Sequence, residues 1–217
     1  MNKTLVIGAA VAVAIGVGAM FFSGSGAQQS PVSPAQAQTA GDVDISGVQD
    51  MTIGAEDAPI TIVEYASFTC PHCRTFHENA FKQLKADYID TGKAKFVFRE
   101  VYFDRYGLWA GMVARCDGGS RYFGIVDMIF ETQQQWTQGE NVDIANNLKK
   151  MGLLAGMDGE TIDACLQDAE KAKALTAFYQ QNAQADGIRA TPSFVINGTT
   201  HSNMSYADMK EILDAEL

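Results

Sequence analysis

Two cysteines separated by two residues, Cys70 and Cys73, are the side chains of this sequence best suited to chemistry. They follow an apolar segment at 60–68, ITIVEYASF, whose β-branched and aromatic residues are typical of a buried strand. Apolar residues at helical spacing follow them, including Phe76 and Leu84. A C-x-x-C pair beside such a β-α-β pattern is the arrangement used for thiol-disulfide chemistry.

The position of the pair predicts which cysteine is the nucleophile. If Cys70 is the N-cap of the helix and Pro71 its first residue, the Cys70 sulfur faces free backbone N–H groups and the positive end of the helix dipole. That environment favours the thiolate, which is the attacking species in exchange. Cys73, one turn further on, is placed to displace a mixed disulfide. A charged His72 would stabilise the thiolate further and so make the pair a strong oxidant.

A zinc site is the other use of a C-x-x-C pair. Such a site needs a second cysteine pair or histidines at metal spacing, whereas Cys116 and Cys165 are isolated. We therefore expect redox chemistry at Cys70 and Cys73, with no metal and no other cofactor.

The N-terminus carries a targeting pattern. Residues 5–22 are apolar without interruption, which is long for a signal-peptide core and just long enough to span a bilayer. Residues 1–22 are therefore either a cleaved signal peptide or a membrane anchor. Residues 23–45 are rich in Gly, Ser, Ala, Gln and Pro, a composition that predicts a flexible linker.

The composition of the whole chain is that of a globular protein. Of 217 residues, 47% are hydrophobic and 19% are charged, so disorder is not expected beyond the N-terminal tract. The formal net charge of −10 argues against binding to a phosphate backbone, which requires clustered Lys and Arg. Nucleic acid is therefore excluded as an expected partner.

Strand patterns lie on both sides of a long helical segment. Residues 93–103, KAKFVFREVYF, have the pattern of a second buried strand, parallel to the strand at 60–68. Residues 104–186 have helical patterns instead. Strand character returns at 192–196, followed by a tight turn at Asn197-Gly198, a short strand and an amphipathic helix. One α/β core interrupted by a helical segment is predicted.

Smaller features mark the boundaries of these elements. A short strand is possible around Met51 to Gly54, and the helix that starts at Pro71 is expected to run to Gly92. Within 104–186, helices are expected to break at glycines, namely Gly118, Gly119, Gly139, Gly152 and Gly156.

Three segments, in this order and spacing, resemble the DsbA family of periplasmic disulfide oxidoreductases: ITIVEYASFTCPHCRTFHE, FVFRE and GIRATPSFVINGT. The resemblance implies an α/β, thioredoxin-like fold with an inserted all-helical domain. Residues 46–103 and 187–217 would form the thioredoxin-like domain, and 104–186 the insertion. The resemblance also implies reoxidation by a quinone-linked membrane partner.

The resemblance extends to residues outside the cysteine pair. It implies that Thr191-Pro192 is a loop with a cis proline, which would expose backbone beside the cysteines for an extended substrate segment. Alternatively, Pro192 merely starts a strand. Glu64 matches a buried acid of the family that could move protons during exchange. It could equally face a polar cavity or pair with a lysine.

The remaining cysteines and aromatic residues are given structural roles. In an oxidising compartment Cys116 and Cys165 are expected to form a disulfide, with two buried free thiols as the alternative. We expect His77 and His201 at the surface. Four aromatic residues are expected to pack in the core and between the lobes rather than to hold a cofactor: Tyr102, Phe103, Tyr106 and Trp109.

Together these patterns predict an exported enzyme that introduces disulfides into unfolded or newly exported proteins by exchange at Cys70 and Cys73. We expect a monomer in the periplasm, either soluble after signal cleavage or tethered by residues 5–22. An isomerase or reductase of the same fold is an alternative, although such isomerases usually carry a preceding dimerisation domain. A non-catalytic chaperone-like module is another, and it would need neither Cys70 nor His72.

Overall fold

A computed structural model describes residues 43–217 of the chain. The expected signal peptide or anchor at 1–22, and nearly all of the linker at 23–45, lie outside the described residues. Within 43–217, no helix is both long enough and apolar enough to cross a membrane.

A mixed sheet of five strands forms the centre of the described residues, in the order β1-β3-β2-β4-β5. Strands β2 and β3 run parallel, and the other neighbouring pairs are antiparallel. The strands are β1 (Met51–Ile53), β2 (Ile60–Ala66), β3 (Ala94–Glu100), β4 (Ser193–Ile196) and β5 (Thr199–Ser202).

The parallel pair of strands sets the location of the cysteines. The register of β2 on β3 runs from Ile60 opposite Ala94 to Ala66 opposite Glu100. Both strands are largely buried because helices cover the sheet, which explains their nearly continuous apolar sequences. Their carboxyl ends meet at one edge, and the chain leaves β2 there to enter the segment that contains Cys70.

Most of the helices lie between β3 and β4, so the predicted α/β core with a helical interruption is confirmed. The helices before that interruption are α1 (Pro71–Glu78) and α2 (Ala80–Leu84), continued by a π-helical turn at Lys85–Ile89. Those within it are α3 (Arg105–Ala114), a 3-10 turn (Asp117–Gly119), α4 (Tyr122–Glu131), α5 (Gln133–Trp136), α6 (Asn141–Leu154), α7 (Gly159–Gln167) and α8 (Ala169–Ala185). The last helix is α9 (Tyr206–Ala215).

The helix expected from Pro71 to Gly92 is interrupted. Asn79 has the non-helical angles φ −125° and ψ −78°, and its side-chain amide donates to the carbonyl of Thr75 at 2.9 Å. Because the side chain takes the carbonyl that the helical N–H would use, the backbone turns at this point. The apolar stripe nevertheless continues across the break through Phe76, Phe81 and Leu84, all of which are buried.

The predicted break at Gly152 is wrong, because this glycine lies inside α6. A Cβ placed on Gly152 would lie 2.7 Å from Cδ1 of Ile162 and 2.9 Å from Cε of Met157. Gly152 therefore permits α7 to approach α6 closely. Gly156, with a positive φ of 86°, instead follows the end of α6.

A buried ion pair joins the sheet to the helical segment. Glu100, at the end of β3, accepts hydrogen bonds from the Arg115 guanidinium at 2.6 and 2.7 Å and from the Tyr122 hydroxyl at 2.6 Å. Next to Arg115, Cys116 forms a disulfide with Cys165 of α7. The sheet, α3, α4 and α7 are thus connected by polar and covalent links within the core.

The aromatic residues expected to pack in the core do so with one exception. Tyr106 and Trp109 pack against the main core, and Tyr102 contacts Tyr179 with ring centroids 6.0 Å apart. Phe103 is 61% exposed, so the expectation is wrong for this residue. It lies in the loop between β3 and α3.

Replacement of Gly152 by alanine tests the close approach of α6 and α7. We expect Gly152→Ala to lower the free energy of unfolding by about 1 kcal/mol, because overpacking a filled core costs about 1–3 kcal/mol and exceeds the gain in helix propensity. Gly124→Ala is the matched control, since nothing lies within 4 Å of its Cβ position on α4. That variant should gain about 0.5–1 kcal/mol. Urea unfolding measures both, and equal stabilisation of the two variants would contradict the packing described here.

Candidate active site

Cys70 begins α1, as the sequence predicts. Its φ of −82° and ψ of 121° are extended, and Pro71 occupies the first helical position. The backbone N–H of Cys70 donates to the carbonyl of Ser67 at 3.1 Å, which closes a tight turn after β2. The sulfur therefore lies at the end of the helix where backbone N–H groups have no helical partner.

The surroundings of the Cys70 sulfur favour its thiolate. Hydrogen bonds from the Cys73 thiol, from the Thr191 side chain and from the backbone N–H groups of Cys73 and His72 lower the pKa of Cys70 to about 5, although partial burial opposes the shift. Each donor stabilises negative charge on the sulfur. At neutral pH the reduced site therefore holds Cys70 mainly as thiolate.

Cys73 has the opposite character. It is fully buried, and burial raises the pKa of its thiol well above the ordinary value, with further contributions from the hydrogen bond to Cys70 and the negative charge of Glu64. Cys73 therefore stays protonated in the reduced protein. The pair consists of one accessible thiolate and one buried thiol.

The loop before β4 faces the accessible cysteine. The peptide bond between Thr191 and Pro192 is cis, and the Cys70 sulfur lies 3.5 Å from the Thr191 carbonyl oxygen. Pro192 directly precedes β4, whose first residue, Ser193, pairs with Tyr65 of β2. The structure thus places the backbone of Thr191 against the sulfur that would react.

Glu64 pairs with a histidine rather than with a lysine. Its side chain is fully buried, and Oε2 lies 2.8 Å from Nε2 of His77. His77 is only 5% exposed, so its expected surface position is wrong. It lies four residues after Cys73 and therefore on the same buried face of α1, which is the signal that could have located it. His201 is partly exposed on β5.

Two further residues hold the cysteine segment against the helical insertion. Gln133 of α5 is buried and donates to the carbonyl oxygens of Phe68 and Cys70 at 2.8 and 3.0 Å. Asp104 accepts from the Thr69 hydroxyl at 2.7 Å and also caps α3. An acidic residue before a helical pattern indicates the cap, but no sequence pattern identifies Gln133.

His72 is exposed, and the contribution that the structure assigns to it comes from its backbone N–H. The expected effect of its imidazole remains a prediction. Within the described part of the chain, no group of three or more His, Cys, Asp or Glu side chains is arranged to hold a metal ion.

Known proteins share this arrangement of elements. The family model described as thioredoxin matches residues 46–215. The "Putative protein-disulfide oxidoreductase" of Rickettsia bellii (strain RML369-C) is 34% identical over 166 residues, which are 76% of this chain and 63% of that protein. Disulfide bond formation protein D of Bacillus subtilis (strain 168) is 29% identical, with 76% of each chain covered. The crystal structure of Wolbachia pipientis alpha-DsbA1 is 28% identical, with a TM-score of 0.71 over 77% of this chain and 90% of that one.

The match is partial in length for some of these relatives. The chain spans 60–63% of the length of the Rickettsia proteins.

The alkylation rate of reduced Cys70 tests the pKa asymmetry of the pair. The rate should rise with pH to a plateau with a midpoint near pH 5, because only the thiolate reacts, whereas Cys73 should stay unmodified in the folded protein up to pH 9. Mass spectrometry after timed reaction with iodoacetamide measures both.

The matched controls for this measurement replace Cys73. Cys73→Ala removes the hydrogen bond that lowers the pKa of Cys70 most, so the midpoint should move upward. Cys73→Ser retains a hydrogen-bond donor and should move it less. A wild-type midpoint near the ordinary cysteine pKa of about 8.5 would contradict the described site.

Proposed function

This chain belongs to the thioredoxin family and is DsbA-like in fold, and on that premise we propose that it is a protein-disulfide oxidoreductase that introduces disulfides into other proteins. The observation that carries this proposal is the contrast between Cys70 and Cys73. A stabilised Cys70 thiolate favours the reduced form of the pair, and a pair that favours its reduced form oxidises others.

The reaction follows from this contrast. In the oxidised enzyme, a substrate thiolate attacks the Cys70 sulfur, the Cys70–Cys73 bond breaks, and Cys73 leaves with the electron pair and takes up a proton. A second substrate thiolate then attacks the substrate sulfur of the mixed disulfide. The substrate leaves with its new disulfide, and Cys70 leaves as the stabilised thiolate. Two electrons have passed from the substrate dithiol to the enzyme.

The loop at Thr191-Pro192 is proposed to align the substrate. Its backbone lies beside the Cys70 sulfur, where an extended segment of an unfolded protein can form main-chain hydrogen bonds. Such recognition depends little on side chains, which suits an enzyme that acts on many newly exported proteins.

We assign the remaining parts of the chain accordingly. Residues 46–103 and 187–217 are the proposed thioredoxin-like domain, which is supported by the strands that fall in these ranges, and 104–186 are the proposed insertion. The Cys116–Cys165 disulfide is given a structural role in the insertion.

This disulfide supports the proposal that the protein works in an oxidising compartment, in agreement with the apolar segment at 5–22. We therefore place the enzyme in the periplasm. Its proposed reoxidant is a quinone-linked membrane protein.

Oxidation of a reduced peptide that contains two cysteines tests the function. One equivalent of oxidised protein should convert about one equivalent of peptide to its disulfide. Cys70→Ser and Cys73→Ser should each abolish the conversion, as measured by quenched mass spectrometry, because neither variant can form the Cys70–Cys73 disulfide that accepts the two electrons. The control Cys116→Ala/Cys165→Ala should retain conversion. A Cys70→Ser variant that still promotes folding of reduced proteins would favour the chaperone-like alternative.

Replacement of His72 tests whether its imidazole adds to the oxidising strength. His72→Ser keeps the backbone N–H that supports the thiolate and removes only the ring. The equilibrium constant with glutathione should shift by up to about ten-fold toward the oxidised enzyme, which corresponds to about 30 mV. His201→Ser, far along the chain on β5, is the control and should shift nothing. An unchanged equilibrium for His72→Ser would assign the oxidising strength to the helix N-terminus and the hydrogen bonds alone.

A further inference from the structure

The Glu64–His77 pair is a second buried polar pair of the core, beside that of Glu100 and Arg115. Both side chains are almost completely inaccessible to solvent. Oε1 of Glu64 and Nδ1 of His77 are buried without a hydrogen-bond partner among the described residues. Since an isolated buried charge is costly, the two groups are expected to share a proton, held across the 2.8 Å contact.

The walls around this pair are aromatic. The His77 ring stacks on Phe130 with centroids 4.2 Å apart and also lies 4.6 Å from the Phe81 ring. Glu64 lies between Phe98 and Phe194 in the sheet register. This packing holds the imidazole in one orientation, with Nε2 toward the carboxylate.

Cys73 needs a proton at one defined moment. When a substrate thiolate opens the Cys70–Cys73 disulfide, the leaving Cys73 sulfur carries a negative charge in a buried site. The charge of Glu64 acts on that sulfur and disfavours its thiolate. A proton present on the Glu64–His77 pair removes this repulsion, and its transfer to the sulfur neutralises the new charge.

His77 is the member of this pair that lies beside a cleft. A cavity of about 100 Å³ lies between α2 and α4, and we call it the α2–α4 cleft. His77 lines this cleft, whereas Glu64 does not. The cleft is also lined by charged groups from each element around it, namely Glu78, Lys82, Lys85, Asp127 and Glu131.

We propose that His77 is a positioning residue that takes a proton from water in the α2–α4 cleft and holds it on the Glu64–His77 pair for delivery to Cys73. This inference rests on the proposed function. As the disulfide opens, its electron pair goes to the Cys73 sulfur, the proton of the pair goes to the same sulfur, and water in the cleft returns a proton to His77. In the reverse direction Cys73 returns its proton by the same route.

Substitution of His77 by glutamine tests this route. Glutamine can still hydrogen-bond to Glu64 but cannot carry a proton, so His77→Gln should slow mixed-disulfide formation by about ten-fold or more at neutral pH. The rate should also lose the part of its pH dependence that His77 contributes. The alkylation midpoint of Cys70 should stay near its wild-type value. His201→Gln is the matched control and should change neither.

Chemical rescue separates proton transfer from packing. In His77→Ala the cleft is enlarged by the missing ring, and added imidazole should restore the rate in proportion to the concentration of imidazolium. Wild type and His201→Gln should not respond. A slow variant with lowered thermal stability and no rescue would overturn the proposal in favour of a packing role, and so would an unchanged rate in His77→Gln.

A measurement on the wild-type chain covers the case in which the variants do not fold. Nitrogen NMR of labelled histidine should show different titration of His77 in the oxidised and reduced proteins, because its proton is coupled to Cys73. Identical titration in both states would overturn the proposal. Failure of wild type to oxidise the dithiol peptide would instead refute the proposed function, whereas normal oxidation without an effect of His77 would refute only this inference.

Discussion

The hydrogen bond from the Cys73 thiol to the Cys70 sulfur requires that α1 begin at Pro71, just after β2 ends, so that Cys70 precedes the helix and Cys73 lies within it. Pro71 starts that helix without the loss of a hydrogen bond, so Cys70 stays at its open end while Cys73 is one turn inside. One sulfur is then partly exposed and accepts several hydrogen bonds, and the other is buried. The difference in pKa between these two thiols follows from where each sulfur lies relative to the start of α1.

The helical insertion also holds the segment between β2 and α1 in place. Gln133 holds the carbonyls of Phe68 and Cys70, and Asp104 holds the Thr69 hydroxyl, so the segment between β2 and α1 is fixed on both sides. The insertion is in turn joined to the sheet by the pair of Glu100 and Arg115. Breaking one partner of such a buried pair typically costs about 3–5 kcal/mol, so the insertion and the sheet are expected to unfold together.

The two buried carboxylates of the core differ in how fully they are paired. Glu100 is fully paired with Arg115 and Tyr122, as a structural link requires. Glu64 and His77 are paired through one atom each and leave one atom each without a partner. The Glu100 network therefore serves as a structural link. The Glu64–His77 pair retains atoms that are free to exchange a proton near Cys73.

Local patterns in the sequence are sufficient to predict the central features of this protein. The strand before Cys70, the N-cap position of that residue and the return of strands after the helical segment all depend on residues close in the chain, and each is present in the structure. The expected interruption of the α/β core was visible for the same reason.

Other features were decided by contacts between distant segments. His77 is expected at the surface, but α4 covers the face of α1 on which it lies. A helix break is expected at Gly152, yet this residue lies within α6, where α7 packs closely against it. Gln133 reaches Cys70 across 63 residues of sequence. Periodicity and capping therefore determined from the sequence alone where the reactive cysteines begin a helix. Only the tertiary structure decided which polar side chains surround them, because burial and hydrogen bonding at each position depend on elements that the local sequence does not contain.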